Sequence, residues 1–110
     1  MMLKRLVKRS DFLKCAQGRR ANAPGLLLQG LARGESDEVR VGFTCSKKVG
    51  NAVARNRARR RLREVARLDL ASLARPGWDY VLIGKCEATA DRQFEDLRTD
   101  LRQALEKVHK

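Results

Sequence analysis

The stretch "VRVGFTCSKKVGNAVARNRARRRLRE", residues 39–64, joins a strand pattern to a helix pattern and sets the fold class. In residues 39–46, Val39, Val41, Phe43 and Cys45 alternate with polar or small residues, which predicts a strand with one apolar face. The segment "KKVGN" links this strand to the arginine-rich segment. A strand followed at once by a helix indicates a fold that mixes both element types.

The helix is predicted from about Ala52 to Leu70. At about 100° per residue, its apolar residues fall in one sector, and these are Ala58, Leu62, Val65 and Ala66. A ridge of arginines spaced four apart follows the edge of that sector: Arg55, Arg59, Arg63 and Arg67. The remaining arginines, Arg57, Arg60 and Arg61, are expected to point outward, so that Arg61 adds surface charge.

Six of the nine residues from Arg55 to Arg63 are arginine, and only Glu64 offsets them nearby. Each uncompensated pair four residues apart costs about 0.2–0.5 kcal/mol, so an external anion is expected. Arginine grips phosphate in a bidentate fashion and stacks on bases, which favours a nucleic acid over a solvated helix face. An alternating strand precedes this helix, where a helix-turn-helix would have a second helix, so RNA is favoured over DNA.

The chain has 110 residues, and we expect one domain over 1–110. Its net charge of +12 is concentrated in residues 1–20 and 40–67, which carry +6 and +9. This asymmetry favours a directed binding face for a polyanion. No run of about 18 apolar residues exists, and the N-terminus lacks the apolar segment of a signal peptide, so a membrane partner is not expected. Residues 1–9 are expected to form a basic, flexible arm.

The three cysteines, Cys15, Cys45 and Cys86, lack metal-site spacing. We expect them to be buried thiols in a reducing cytoplasm.

The rest of the chain predicts further elements around this centre. Ser10 is expected to cap a helix over residues 10–18, and the strands 26–32 and 39–46 are expected to form a hairpin. A buried strand is predicted over 78–85. The final helix, 91–108, has Thr89 or Asp91 as its expected cap and a regular apolar face, formed by Phe94, Leu97, Leu101, Leu105 and Val108. The sum is an α+β domain with helices packed on a small sheet.

The segment "SKKVGNAVARNRARRRLRE", residues 46–64, resembles the signature of the bacterial ribonuclease P protein subunit. The family motif, an Arg-Asn-Arg helix with a basic pair and a further arginine, is matched by Arg55, Asn56, Arg57, Arg59, Arg60 and Arg63. The upstream motif is matched by Lys47, Lys48, Gly50, Asn51, Ala52 and Val53, and the N-terminal motif by Asp11 and Phe12. The resemblance extends over essentially the whole chain.

The resemblance implies a two-layer α/β sandwich. Its sheet would be small and mostly antiparallel, with about four strands, the fourth near residues 19–23. The family also has a left-handed βαβ crossover around the arginine helix, although the general rule favours the right-handed form.

The resemblance also implies a function, as the protein cofactor of a ribonucleoprotein that removes the 5′ leader from precursor tRNA. The RNA subunit would be the catalyst, with Mg²⁺ at its active site, and this chain would supply no catalytic side chain and bind no cofactor. The expected partners are ribonuclease P RNA and precursor tRNA, with no DNA. His109, the one histidine, is expected to be a frayed surface residue. A general or ribosomal RNA-binding protein is the alternative.

Site residues follow from the same resemblance. Those implied to bind RNA are Lys47, Lys48, Asn51, Arg55, Asn56, Arg57, Arg59, Arg60 and Arg63. The leader cleft would include Phe12, Ala16 and Lys85. Phe12 is equally consistent with a plain core residue, and Asn56 with a local helix cap. Family members commonly have an aromatic residue where this chain has Ala16, so we expect a shallower, more aliphatic cleft.

Overall fold

Within the residues that the structure describes, five strands form one mixed sheet. The computed structural model describes residues 3–34, 36–45, 50–85 and 87–110. The strands are β1 (Leu3–Arg5), β2 (Arg19–Asn22), β3 (Leu26–Ala32), β4 (Val39–Cys45) and β5 (Trp78–Gly84). The pairs β2–β3 and β3–β5 are antiparallel, whereas β1–β4 and β4–β5 are parallel.

The helices lie after β1, between β4 and β5, and after β5. They are α1 (Arg9–Ala16), α2 (Ala52–Val65), α3 (Ala71–Leu73), α4 (Ala88–Asp91) and α5 (Phe94–Val108). A π-helical segment, Ala66–Leu70, joins α2 to α3. Ala66, Asp69 and Leu70, spaced i, i+3 and i+4, are buried on one side of this segment.

The sheet has a core on each face. On one face α2 and α5 bury the apolar sector predicted from the sequence, with Leu62 and Val65 fully buried. Five buried residues of α5 join this core: Leu97, Leu101, Ala104, Leu105 and Val108. On the other face α1 covers a smaller cluster, in which Cys15 packs with Leu6 and Val81. Helices therefore cover the sheet from both sides.

The predicted hairpin between residues 26–32 and 39–46 is wrong, because β5 lies between β3 and β4. β5 takes this central place because Tyr80, Val81 and Leu82 are all buried, so both faces of the strand need cover. The sheet is consequently mixed and five-stranded, where a mostly antiparallel one of about four strands was expected. The parallel pairing of β4 with β5 confirms a βαβ crossover around α2; its left hand stays a prediction.

The N-terminal residues differ from the expected arm. Leu3, Lys4 and Arg5 pair with Val39, Arg40 and Val41 as an edge strand. The backbone N–H of Leu6 donates to the Val41 carbonyl at 2.9 Å, and the Leu6 side chain is buried. A three-residue strand is too short to show an alternation in the sequence. The fourth strand expected near 19–23 is confirmed as β2.

Two predicted helix caps are wrong. α1 begins at Arg9 after Lys8, whose side chain makes no capping bond, so Ser10 lies inside the helix. α5 begins at Phe94 after Gln93, again without a side-chain cap. Thr89 is instead fully buried, accepting from the Lys85 N–H at 2.7 Å and donating to the Gly25 carbonyl at 2.6 Å. It thus joins the end of β5 to the start of β3.

The C-terminal histidine is also more ordered than expected. His109 Nε2 lies 2.6 Å from the Tyr80 hydroxyl, and its ring meets Trp78 edge-on at 5.0 Å between centroids. Desolvation, with the charges of Arg75 and Arg19, lowers the pKa of His109. The expectation of a frayed residue is therefore wrong.

The predicted burial of the cysteines is confirmed for two of the three. Cys15 and Cys45 are buried free thiols, as predicted, and burial raises the pKa of Cys15 to about 12. Cys86 lies outside the described residues.

In the part of the chain that the structure describes, no helix combines the length and apolar character needed to cross a membrane.

A buried ion network around Asp79 ties the sheet together. Arg40 donates to both Asp79 carboxylate oxygens, with Nε–Oδ1 at 2.8 Å and Nη2–Oδ2 at 2.7 Å, and Arg33 donates to Oδ1 as well. Arg40 also reaches Asp11 of α1 at 3.3 Å. The hydrogen bonds that Arg40 donates to Asp79 raise the pKa of the Arg40 guanidinium. One carboxylate, only 2% exposed, thus connects β4, β5 and the β3–β4 loop.

Replacing Asp79 with asparagine should test this network. Asp79→Asn leaves the guanidinium groups of Arg33 and Arg40 without a buried counter-charge, so we expect the free energy of unfolding to fall by about 3 kcal/mol or more. Urea denaturation followed by circular dichroism measures it. The control is Glu64→Gln, which removes an exposed partner of Arg67 and should leave the midpoint unchanged. Equal midpoints for the two variants would contradict the role of Asp79.

Candidate nucleic-acid interface

The arginine helix begins at a side-chain cap. Asn51 has extended backbone, and its Oδ1 accepts from the Ala54 N–H at 2.9 Å. The preceding Gly50 has φ +137°, which side-chain-bearing residues rarely adopt. The local cap considered for Asn56 is thus provided by Asn51. Asn56 lies inside α2 with its side chain exposed.

The buried residues of α2, Ala58, Leu62 and Val65, form a stripe along the helix. This buried stripe divides the polar residues of α2 between two flanks. At about 100° per residue, Arg59, Asn56 and Arg63 lie on one flank, and Arg60 lies next to them on the outer surface. Arg57 and Arg61 lie on the opposite flank, which faces α4: Arg57 Nη1 is 3.9 Å from Asp91, and Arg61 bonds to the α4 end. The motif residues therefore do not form a single patch.

Arg55 continues the buried stripe past the sheet and is half-buried. The charges of Arg59 and Arg55 partly offset the effect of burial on Cys45, whose pKa is nevertheless raised. These two arginines therefore lie near the end of β4, on the side where α2 begins.

The prediction that Arg61 points outward is wrong. Its Nη1 donates to the Ala90 carbonyl at 3.2 Å, its Nη2 donates to the Arg92 carbonyl, and its guanidinium lies 5.9 Å from the Phe94 ring centroid. The sequence prediction failed because α4 and α5 pack against this flank of α2, and helical periodicity in one segment carries no information about its neighbours. Arg61 joins α2 to the α4–α5 connection.

The arginines of α2 other than Arg61 have little internal compensation. Among the described residues, no carboxylate lies within 4.0 Å of Arg55, Arg59, Arg60 or Arg63. The contact between Arg57 and Asp91 is long, and both side chains are more than half exposed. A helix surface left with this much positive charge is suited to bind a polyanion.

Several arginines outside α2 are paired with buried carboxylates. Arg98 and Arg102 donate to Asp69, at 2.9 and 3.2 Å. Arg92 donates to Asp100, at 2.6 Å. These arginines stabilise the fold and are not free to bind a partner.

Phe12 lies between α1 and the sheet. A Cβ on Gly42 would come within 2.5 Å of the Phe12 ring, so the ring rests on bare backbone. Phe12 is half-buried and lines two cavities, one shared with Gly42 and Arg63, the other with Leu13 and Thr44. It is thus both a packing residue and a cleft residue. Ala16, one turn later, is exposed.

A row of side chains beside α1 was missed by the sequence analysis. The strand register places Asn22, Leu27, Ile83 and Thr44 side by side on the α1 face. Asn22 is exposed and the other three are half-buried. The run "LLL" at 26–28 carries the signal, because consecutive leucines leave an apolar residue on each face of a strand.

Three other predicted site residues have different outcomes. Lys85 follows β5 at the same end of the sheet as Ile83, but its ammonium group donates to the Ala23 carbonyl at the β2–β3 turn. Lys47 and Lys48 lie outside the described residues. Within residues 3–34, 36–45, 50–85 and 87–110, no group of three His, Cys, Asp or Glu side chains could hold a metal ion.

Comparison with known proteins decides the family. Residues 2–109 match the family model described as Ribonuclease P. The ribonuclease P protein component of Ruegeria pomeroyi is 62% identical over 106 residues, covering 94% of this chain and 85% of that protein. The ribonuclease P protein of Staphylococcus aureus, solved at 2.0 Å, aligns with a TM-score of 0.77 and 27% identity, covering 96% of this chain and 97% of the other. That of Thermotoga maritima gives 0.76 and 26%, covering 91% and 93%.

The chain belongs to the ribonuclease P protein family. The resemblance seen in residues 46–64 is thereby confirmed, as is the α+β fold class. Its function is that of the ribonuclease P protein component, a cofactor of an RNA-based enzyme. Within this family assignment, the geometry separates motif arginines that face outward from Arg61, which the fold uses.

This separation can be tested by stability. Arg61→Ala removes two charged hydrogen bonds and the contact with Phe94, so we expect unfolding to become easier by about 1–3 kcal/mol. Arg60→Ala is the matched control on the same helix, because the Arg60 side chain is exposed and makes no hydrogen bond within the described residues, and its unfolding midpoint should stay unchanged. Chemical denaturation compares the two. A midpoint for Arg61→Ala equal to that of Arg60→Ala would contradict the assignment.

Proposed function

We propose that this ribonuclease P protein binds the catalytic RNA through α2 and the single-stranded 5′ leader of precursor tRNA through the face between α1 and the sheet. The protein then increases the affinity for precursor tRNA without supplying a catalytic side chain. The observation that carries the proposal is the set of uncompensated arginines on an ordered helix next to a half-buried aliphatic surface.

The RNA contact is assigned to the outward surface of α2. Its proposed residues are Arg55, Asn56, Arg57, Arg59, Arg60 and Arg63, with Lys47 and Lys48 before the helix. Each guanidinium can hold a phosphate with two parallel hydrogen bonds, and Asn56 can both donate to and accept from a base or ribose. Neutralising each phosphate releases counterions, so binding should weaken steeply with salt.

The leader contact is assigned to Phe12, Ala16 and the row Asn22, Leu27, Ile83 and Thr44, with Lys85 at the rim. Phe12 offers a ring on which one base can stack, while Leu27 and Ile83 offer aliphatic surface to the next. Both are half-buried and lie beside α1. With the alanine at position 16, much of the affinity for the leader would come from backbone charge.

The two proposed surfaces meet at the edge of the sheet. Arg63 of α2 lines the same cavity as Phe12, Gly42 and Phe43. A leader bound along α1 would therefore lie next to the RNA bound on α2. This adjacency supports a protein that holds the substrate strand near the catalytic RNA.

Catalysis is assigned to the RNA subunit. Mg²⁺ held there would activate water for attack on the phosphodiester at the leader junction. What this chain contributes is binding and orientation of the leader strand. Binding restricts the motion of the leader strand, so that binding energy is used to position the strand for cleavage.

The family assignment leaves no place for a general or ribosomal RNA-binding protein, and the competing interpretation is a ribonuclease P protein that binds only the catalytic RNA. It would use the same arginine surface and bind RNA irrespective of a leader. The cleft beside α1 distinguishes the two, because it gives a reason for dependence on a single strand next to a folded RNA.

Reconstitution tests the proposal. Added to a bacterial ribonuclease P RNA at low magnesium, the protein should speed cleavage of precursor tRNA, and more so for a substrate with a leader of several nucleotides than for one with a single nucleotide. Arg60→Ala should weaken RNA binding and lower the slope of log affinity against log salt by about 1. Lys107→Ala on α5 is the charge-matched control and should behave as wild type. Absence of stimulation, or equal stimulation of both substrates, would refute the leader role.

A second prediction concerns Asn51, for which we propose a role in RNA binding through the cap of α2. Asn51→Ala should lower stability by about 1 kcal/mol and weaken RNA binding, because the first turn loosens. Asn51→Ser keeps a capping oxygen and should restore both properties. Denaturation and filter binding measure them. If Asn51→Ser were stable yet still bound RNA weakly, Asn51 would instead contact RNA directly.

A further inference from the structure

A solvent-open cavity of about 680 Å³ lies beside the edge strand β1, between that strand and the C-terminal part of the arginine helix. Its volume is within the range of roughly 300–1,000 Å³ typical of small-molecule sites. Of the residues assigned above to RNA binding, only Arg63 lines it. The family motif therefore leaves this cavity, here named the β1–α2 cavity, without a role.

The π segment shapes the wall of the β1–α2 cavity. The N–H of Ala71 bonds to the Ala66 carbonyl five residues back, which brings these two alanines one above the other on the cavity side. In a regular α-helix, residues five apart would point about 140° away from each other. Two small side chains in register leave open space above the apolar floor, formed by Leu3, Val41 and Phe43.

The rim of the β1–α2 cavity is basic. Lys4, Arg5, Arg63 and Arg67 line it, and no acidic side chain does so among the described residues. Arg5 and Arg63 have no carboxylate within 4.0 Å in the described part of the chain, and the Arg63 guanidinium lies 6.0 Å from the Phe43 ring centroid.

Two of the rim cations have exposed partners. Lys4 pairs with Glu38 at 2.9 Å, and Arg67 pairs with Glu64. Exposed pairs of this kind contribute little to stability, so a phosphate can displace either carboxylate at low cost.

An apolar floor under an arginine-rich rim matches one kind of occupant. A nucleotide presents a flat base that needs apolar or aromatic surface and a phosphate that needs cations, whereas an apolar peptide would leave Arg5 and Arg63 beside it without counter-charge. We propose that the β1–α2 cavity binds one unpaired nucleotide of the RNA partner, with its base on Phe43 and its phosphate on Arg5 and Arg63. This inference rests on the proposed function, since the RNA bound along α2 would supply the nucleotide.

The first experiment uses the free protein and a mononucleotide. Adenosine monophosphate, titrated into ¹⁵N-labelled protein, should shift the amide signals of Leu3, Val41, Phe43 and Ala71. Ribose 5-phosphate, which lacks a base, should shift arginine signals but leave Val41 and Phe43 in place. Identical shifts for the two compounds, or none at Phe43, would overturn the base-binding site.

The second experiment fills the cavity. Ala71→Leu places an isobutyl group in it and leaves every charge unchanged, whereas Gln103→Leu adds the same group to the exposed surface of α5. Ala71→Leu should abolish the mononucleotide shifts and weaken binding of the catalytic RNA by about tenfold, as expected for the loss of one stacked base. Gln103→Leu should match wild type in both. Wild-type shifts and RNA affinity for Ala71→Leu would refute the site.

A thermal melt checks that Ala71→Leu is folded. Phe43→Leu is the second variant, because it keeps apolar volume and removes only the ring; it should also lose the shifts. If wild-type protein failed to stimulate the RNA, the proposed function would fail, yet the mononucleotide titration would still decide whether the cavity binds a nucleotide.

Discussion

The parallel pairing of β4 with β5 is the constraint on which the rest of the molecule depends. Two parallel neighbours cannot be joined by a tight turn, so the chain between Cys45 and Trp78 must cross from one end of the sheet to the other. α2 is that crossover, and its buried stripe, centred on Leu62, holds it against the sheet. Every other polar position on α2 must then face a flank or the solvent. The arginine surface follows from the topology, because a helix fixed along one stripe presents the remainder of its circumference.

The basic residues are divided between two uses by the positions of buried acids. Asp79, Asp69 and Asp100 are each at most 5% exposed, and each is met by arginine. A buried carboxylate without such a partner would be costly, so these arginines are committed to the fold. α2 has Glu64 as its one acid, and Glu64 pairs with Arg67. The arginines from 55 to 63 other than Arg61 therefore remain available to a binding partner, although many other arginines of the chain form ion pairs with carboxylates.

Periodicity in the sequence predicted what depends on neighbours along the chain. It placed Ala58, Leu62, Val65 and Ala66 in one buried sector and found β3, β4 and β5 almost to the residue. It failed where the decisive partner is distant. The hairpin prediction was wrong because β5, which follows β3 by roughly fifty residues, pairs between β3 and β4. The strand β1 was missed because three residues show no alternation. Arg61 was misplaced because α4 covers its flank of α2. The motif residues came from resemblance, and the structure then divided them by flank and gave Asn51 a capping bond.

An ordered arginine helix has a physical advantage over a basic tail. Like charges four residues apart oppose helix formation, so an isolated segment with this sequence would lose part of its helix. Here the buried stripe, the Asn51 cap and the hydrogen bonds of Arg61 hold α2 in place before any partner binds. The repulsion is thus offset by folding, and its relief on binding a polyanion adds to the affinity, while little conformational entropy of the backbone is lost. A flexible tail would gain the same charge contacts but would lose that entropy at each encounter. The buried stripe and the arginine surface are therefore two parts of one arrangement, since the burial of Leu62 and Val65 keeps the arginines oriented outward.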